Sequence, residues 1–124
     1  MPASLAVQIA ELSARLASVR RILVITGAGL SAESGLPTYR GLGGLYNGRT
    51  AEGLPIEVAL SGDMLRERPE LCWKYLAELG RACLGAAPNA GHRALAELQR
   101  RKPGCWLLTQ NIDGYHLAAG SPPE

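Results

Sequence analysis

The chain has 124 residues, 47% of them apolar and 19% charged, a balance that supports one buried core and excludes a charge-rich disordered chain. Thirteen basic against eleven acidic residues leave a net charge of +2, too little to argue for direct nucleic-acid binding. Cys72, Cys83 and Cys105 are odd in number and lie 11 and 22 residues apart, a pattern that suits neither a disulfide framework nor paired zinc ligands and reads as buried, reduced thiols of a cytoplasmic protein.

Ser4 is a candidate N-cap, and Leu5, Ile9, Leu12, Leu16 and Val19 recur at spacings of four and three, which predicts an amphipathic helix. Arg15, Arg20 and Arg21 give this segment a faint likeness to a transit peptide, but Glu11 interrupts the pattern and a structural helix is expected. No apolar run nears the roughly 20 residues needed to cross a bilayer, so no membrane partner is expected. Ile22 to Thr26 is short, apolar and β-branched, as in a parallel strand covered on both faces. Six glycines between residues 41 and 62, together with Pro55, predict a mobile loop there.

Pro69 can open a helix carrying Leu71, Cys72, Tyr75, Leu76 and Leu79 at helical spacing. A further helix is expected after Pro88, with Ala94, Leu95 and Leu98 turned inward and the Arg100-Arg101-Lys102 cluster at its solvated end. Cys105 to Thr109 reads as a second buried strand. Strands alternating with helices predict an α/β fold with a parallel sheet and flanking helices. Two strands make a marginal sheet, so the sheet is expected to be incomplete in this chain, ending unfinished at Glu124.

Gly27-Ala28-Gly29-Leu30-Ser31-Ala32 follows the first strand directly and matches the glycine-rich pattern of dinucleotide-binding turns. Gly27 would allow a tight turn, Gly29 would let a pyrophosphate approach the backbone, and Ala32 would let the helix pack near the sheet. A ligand-free, close-packed strand-to-helix turn is the alternative on this stretch alone. A standard dinucleotide fold would carry an acidic residue about 20 positions further on for the ribose. Arg49 lies in that region instead, which argues against an ordinary dehydrogenase.

The stretch from Gly27 to Gly41, containing Glu33-Ser34-Gly35-Leu36-Pro37-Thr38-Tyr39-Arg40, resembles the first motif of the sirtuins, the NAD-dependent protein lysine deacylases. Pro88-Asn89-Ala90-Gly91-His92 and the segment Thr109-Gln110-Asn111-Ile112-Asp113-Gly114-Tyr115-His116 extend the resemblance. It covers nearly the whole chain but corresponds to the N-terminal part of a sirtuin catalytic domain, so residues 1–124 are expected to be that portion of a Rossmann-like NAD-binding domain. The zinc module and the C-terminal part of the domain would lie outside it.

The resemblance implies that Gly27, Ala28, Gly29, Ser31 and Ala32 bind the NAD phosphates and neighbouring ribose. It places Pro37, Thr38, Tyr39 and Arg40 beside the nicotinamide ribose, with tyrosine where the family usually has phenylalanine. Gln110, Asn111, Ile112 and Asp113 would bind the nicotinamide carboxamide and ribose, with Asn111 assisting the chemistry. An amide can pair with a hydroxyl or water, while a carboxylate accepts from a carboxamide N–H. An Asx turn would account for Asp113 alone but leaves Gln110 and Asn111 unexplained.

The family's general-base histidine falls beyond Glu124, so His116 and His92 are expected to be structural, packing or capping residues. The four zinc cysteines of the family also fall later, and no metal ligand is assigned within this chain. Leu76 and Leu79 occupy the positions of the Tyr-x-x-Arg pair found in sirtuins that remove acidic acyl groups, so acidic acyl selectivity is not expected.

The implied reaction transfers an acyl group from a protein lysine to ADP-ribose with release of nicotinamide. The alternatives are a non-catalytic NAD- or ADP-ribose-binding fragment, or NAD hydrolysis or ADP-ribosyl transfer. The 124-residue chain alone is expected to lack turnover; its acyl group, substrate protein and oligomeric state are left open.

Overall fold

The computed structural model describes residues 4–36 and 49–123. Helix α1 spans Leu5–Ser18 and begins as expected, with Ser4 Oγ accepting the Val7 N–H, which satisfies one of the unpaired donors of the first turn. Its apolar face is uncovered: Leu5, Ile9 and Leu12 are exposed and Leu16 is half-buried. The far end is tied down by Lys102, whose Nζ donates to the carbonyls of Ala17 and Val19 at 2.7 and 2.8 Å. Thus Lys102 complements the C-terminal end of α1, while Arg100 and Arg101 pair with Glu97 on their own helix.

Strands β1 (Ile22–Thr26) and β2 (Cys105–Thr109) pair in parallel, with Leu23 opposite Trp106 and Ile25 opposite Leu108. Partners in register point to the same side of a sheet. Here that side is open, because Leu23, Ile25, Trp106 and Leu108 are 64%, 62%, 65% and 59% exposed. Among the described residues one face is covered where two were expected, in line with a sheet that is incomplete in this chain. This face is left mostly exposed, whereas Thr26 and Cys105 are buried on the other.

The hydrophobic core lies in a helical unit beside the sheet. After an isolated bridge between Arg49 and Pro55 come α3 (Ile56–Ala59), α4 (Gly62–Glu67) and α5 (Pro69–Ala82). Ile56 and Ala59 are fully buried against Leu71 and Tyr75, with Leu54, Leu60 and Met64 around them. Burying a side chain the size of Ile56 stabilises the fold by about 1.5–3 kcal/mol. The loop expected over residues 41–62 is corrected accordingly. Its described part supplies the centre of this core, because the short helix α3 places Ile56 and Ala59 one turn apart on a single face. The glycines at 41, 43, 44 and 48 lie outside the described residues.

Helix α5 starts at Pro69 and buries Leu71, Cys72, Tyr75 and Leu79, as its spacing predicts. Helix α6 (Ala90–Arg101) packs against β2 and α7 (Tyr115–Ala118). Its inward face differs from the expected one. His92 and Ala96 are buried, Leu95 and Leu98 are half-buried, and Ala94 is exposed. The stripe begins one turn earlier, at a histidine, which an apolar count passes over. Gly104, just beyond α6, is required by close packing, because a Cβ there would stand 2.1 Å from the Arg20 carbonyl oxygen. All three cysteines are free thiols; Cys72 and Cys105 are buried and Cys83 is half-buried.

Candidate functional site

Both strands run parallel, so their carboxyl ends lie side by side and the segments after Thr26 and Thr109 face each other. That is where open α/β sheets place ligands. Gln110 N–H donates to the Thr26 carbonyl, and Asn111 Nδ2 donates to the Gly27 carbonyl at 2.9 Å. The two loops are thereby held together from the first residue of each.

Helix α2 spans Ala28–Ala32 and begins immediately after Gly27. Gly27 is extended, with φ −147° and ψ −170°, a conformation open to any residue. The sequence-based reason for this glycine, a tight turn, is therefore corrected. A Cβ at Gly27 or Gly29 would meet no atom within 4 Å, so neither glycine is required by backbone or protein packing. What these glycines preserve is free space above the backbone, the feature a close ligand needs.

Ser31 is the centre of a buried polar network. Its Oγ donates to Asp113 Oδ2 at 2.5 Å, receives Asn111 Nδ2 at 3.3 Å and lies 3.3 Å from His92 Nε2. The proton positions follow from the cap of α6. Asn89 N–H donates to His92 Nδ1 at 3.1 Å, and Asn89 Oδ1 accepts from the N–H groups of Gly91 and His92. With Nδ1 accepting, the proton of the neutral ring sits on Nε2 and points at Ser31 Oγ. Ser31 thus uses its one donor and both acceptor sites, and proton donation runs from His92 through Ser31 to Asp113. This direction is the reverse of a serine nucleophile activated by a histidine base.

Asn89 Nδ2 also donates to the Leu30 carbonyl and to Ser34 Oγ, which binds α2 to the start of α6. His92 therefore has the capping role expected of it. His116 is buried, with Nε2 2.8 Å from Thr26 Oγ1, and Thr26 Oγ1 in turn donates to Thr109 Oγ1 at 2.9 Å. The Thr26 oxygen therefore accepts from His116 Nε2–H, leaving Nδ1 as a buried acceptor without a partner among the described residues. Burial, and then the neighbouring His92, hold the pKa of His116 below its usual 6.5. Asp113 Oδ1 accepts the Tyr115 N–H at 3.0 Å and so starts α7. The Asx turn and the contact with Ser31 are both present.

Ser31, Asn111 and Asp113 of this network border a cavity of about 420 Å³. Gly27, Ala28, Ser31, Gln110, Asn111, Ile112 and Asp113 form one side, and Leu36, Leu76, Leu79, Gly80 and Cys83 form the other. Gly29 and Ala32 belong to α2 but do not line the cavity. Pro37, Thr38, Tyr39 and Arg40 lie outside the described residues. On the α5 wall the resemblance points to Leu76 and Leu79, and the structure adds Gly80 and Cys83 beside them. The signal for these two was the spacing 76, 79, 80, 83, the same period that buries the helix. Among the described residues no three His, Cys, Asp or Glu side chains are grouped to hold a metal ion.

Parallel strands, a strand-to-helix turn with open space above two glycines, and a facing loop of amides and a carboxylate together define an α/β fold of the Rossmann-like nucleotide-binding class. The Sir2 family model matches residues 27–123, and the chain belongs to that family, the sirtuins. It is 74% identical over 116 residues to NAD-dependent protein deacylase 2 of Pseudomonas aeruginosa, covering 94% of this chain and 45% of the relative. A second relative, the NAD-dependent protein deacylase of Deinococcus radiodurans, is 47% identical, with 91% and 45% covered.

Among solved structures, a Sir2 homologue mutant in complex with ADP-ribose superposes with a TM-score of 0.73 at 38% identity, covering 90% of this chain and 43% of that one. A Sir2 mutant with a deacetylated p53 peptide and 3′-O-acetyl ADP-ribose gives a TM-score of 0.77 at 31% identity, covering 92% and 44%. The chain spans less than half the length of these relatives.

Proposed function

We propose that residues 1–124 form the N-terminal, NAD-binding portion of a protein lysine deacylase that transfers the acyl group to ADP-ribose and releases nicotinamide. The observation that carries this proposal is the hydrogen bond from Ser31 to Asp113, which joins the glycine-rich motif to the Gln-Asn-Ile-Asp motif around one cavity. NAD, when bound, supplies an electrophilic ribose carbon and the nicotinamide leaving group. This chain's residues bind and orient it. Ala28 and Gly29, at the start of α2, offer room and backbone N–H groups to the phosphates and adjoining ribose, and Ser31, whose hydroxyl is fully engaged, holds Asp113 in place beside them. Asp113 accepts a carboxamide N–H, and Asn111 positions a hydroxyl or water beside the sugar.

Pro37, Thr38, Tyr39 and Arg40 complete the ribose side in this proposal, with the Tyr39 ring shielding the sugar carbon from water. Holding the acyl-lysine oxygen against that carbon and excluding bulk water supply much of the rate. Both histidines support a division of labour, because His92 and His116 each direct Nε2 at a buried hydroxyl. In this proposal neither histidine is the general base, and the base and the zinc module are assigned to the part of the relatives that this chain does not span. No helix among the described residues is long and apolar enough to cross a membrane, and the three free thiols support a cytoplasmic setting.

The test is incubation of the complete protein with NAD and an acetyl-lysine peptide, read by mass spectrometry. Equimolar free lysine, nicotinamide and O-acetyl-ADP-ribose support the proposal. ADP-ribose with an unchanged peptide establishes NAD hydrolysis instead, and ADP-ribosylated protein establishes ADP-ribosyl transfer. Binding of NAD without any turnover establishes a binding module.

A further inference from the structure

Helix α2 has five residues, Ala28–Ala32, and no side chain caps its first turn. A helix so short does not hold itself in place in water, so neighbouring side chains must fix it. Two asparagines do so, one from each end. Asn111 Nδ2 donates to the Gly27 carbonyl at 2.9 Å, and Asn89 Nδ2 donates to the Leu30 carbonyl at 2.8 Å. Asn111 lines the cavity, whereas Asn89 is not among its described lining residues.

The Leu30 carbonyl is one of those a helix leaves unpaired in its last turn. The same Asn89 nitrogen donates to Ser34 Oγ at 3.1 Å, and the Ser34 N–H donates to the Ser31 carbonyl at 3.0 Å. Asn89 thus holds the chain on both sides of Ser31, whose hydroxyl meets Asp113. Its oxygen has a separate task, because Oδ1 accepts from the N–H groups of Gly91 and His92 and caps α6. Two N–H donors on one side of the amide and a carbonyl on the other fix which atom is nitrogen. Gly91 permits this approach, since a Cβ there would stand 2.8 Å from Leu30 Cδ1 and 3.1 Å from Asn89 Oδ1.

We infer that Asn89 is a positioning residue for the cofactor: its Nδ2 sets the place of α2, and with it Ser31 and the glycine-rich turn, against Asp113. The inference rests on the NAD-binding part of the proposed function. Aspartate at position 89 keeps an oxygen for the α6 cap and turns a second oxygen toward the Leu30 carbonyl, which has no hydrogen to give. Helix α2 then loses its hold at the carboxyl end while Asn111 keeps the amino end. A displaced turn meets the cofactor in the wrong geometry and leaves the acyl-peptide side untouched.

The experiment compares wild type, Asn89→Asp and Ser34→Ala in the complete protein. It measures NAD affinity by calorimetry, kcat, KM for NAD and for an acetyl-lysine peptide, and thermal unfolding. In Asn89→Asp the Kd and KM for NAD are expected to rise about tenfold, the loss of one hydrogen bond, with kcat and the peptide KM within about twofold of wild type. Ser34→Ala keeps the Leu30 bond and gives a smaller rise in the same direction. A folded Asn89→Asp protein with wild-type NAD affinity overturns the inference. A fall in kcat with both KM values unchanged also overturns it, since that reports only less folded protein. Where Asn89→Asp does not fold, Ser34→Ala decides alone: weaker NAD binding supports the inference and unchanged affinity overturns it. Wild type that never deacylates, with NAD affinity still weakened in Asn89→Asp, overturns the deacylase proposal and leaves the inference standing.

Discussion

Ser31 Oγ donates to Asp113 Oδ2 at 2.5 Å, a contact between residues 82 positions apart in the chain. It couples the turn after β1 to the turn after β2, and His92 backs it from α6 at 3.3 Å. Replacing Ser31 with alanine leaves His92 Nε2–H and the inner oxygen of Asp113 without this partner. The expected cost is about 1–3 kcal/mol in denaturant-unfolding free energy, together with weaker NAD binding by calorimetry. A full loss of binding with no stability change would make the network purely a ligand contact.

The glycines separate by function. Gly104→Ala forces a Cβ against the Arg20 carbonyl oxygen, and backbone has to move to relieve it. About 1–3 kcal/mol of destabilisation is expected in chemical denaturation. Gly27→Ala meets no protein atom and is expected to leave the unfolding midpoint unchanged while reducing NAD affinity about tenfold or more. Equal stability losses in the two variants would remove the ligand explanation for Gly27.

Acid stability depends on Glu52. Hydrogen bonds from Lys74 and from the buried Tyr75 hydroxyl hold its pKa down to about 2, against the usual 4.5. The folded state therefore binds fewer protons than the unfolded state between these values, and stability falls as pH drops through this window. Glu52→Gln is expected to be less stable than wild type at pH 6, with the gap closing near pH 2. Urea unfolding at several pH values measures it, and a gap independent of pH would contradict the ion-pair origin.

His116 acts with a different sign from a salt-bridged histidine. Its pKa lies below 6.5, because burial, followed by His92, disfavours the charged ring. Below pH 6.5 the unfolded state takes up a proton that the folded state resists, so stability declines as pH falls into that window. His116→Gln is expected to flatten this decline in pH-dependent thermal unfolding. The same slope in wild type and variant would assign it elsewhere.

Much of the fold was legible from periodicity. The bounds of both strands, the Ser4 cap, the start of α5 at Pro69 and its buried face appear as the spacing predicts. The α6 stripe was displaced because its anchor is His92, a polar residue buried by hydrogen bonds rather than by apolarity. Ile56 and Ala59 were hidden among glycines and a proline, where four helical residues give no period to detect. The face of Leu23, Ile25, Trp106 and Leu108 is uncovered among the described residues of a chain that spans under half the length of its relatives. An apolar run states what a strand can bury against, and the neighbours decide whether it does.

Candidate-site residues on both loops were legible because short motifs followed predicted strands. On the α5 wall only Leu76 and Leu79 were legible, through the resemblance; Gly80 and Cys83 were not, since a residue lining a cavity and one filling a core share the same helical spacing.

The most direct measurement is titration of ADP-ribose into isotopically labelled protein, following backbone amide resonances. The expected result is saturable shifts concentrated at Ala28, Gly29, Ser31 and Gln110 to Asp113, displaced to higher ligand concentration by Gly27→Ala. Saturable shifts confined to surfaces away from these residues, or no shifts at millimolar ligand, would contradict the assignment of this cavity to the nucleotide.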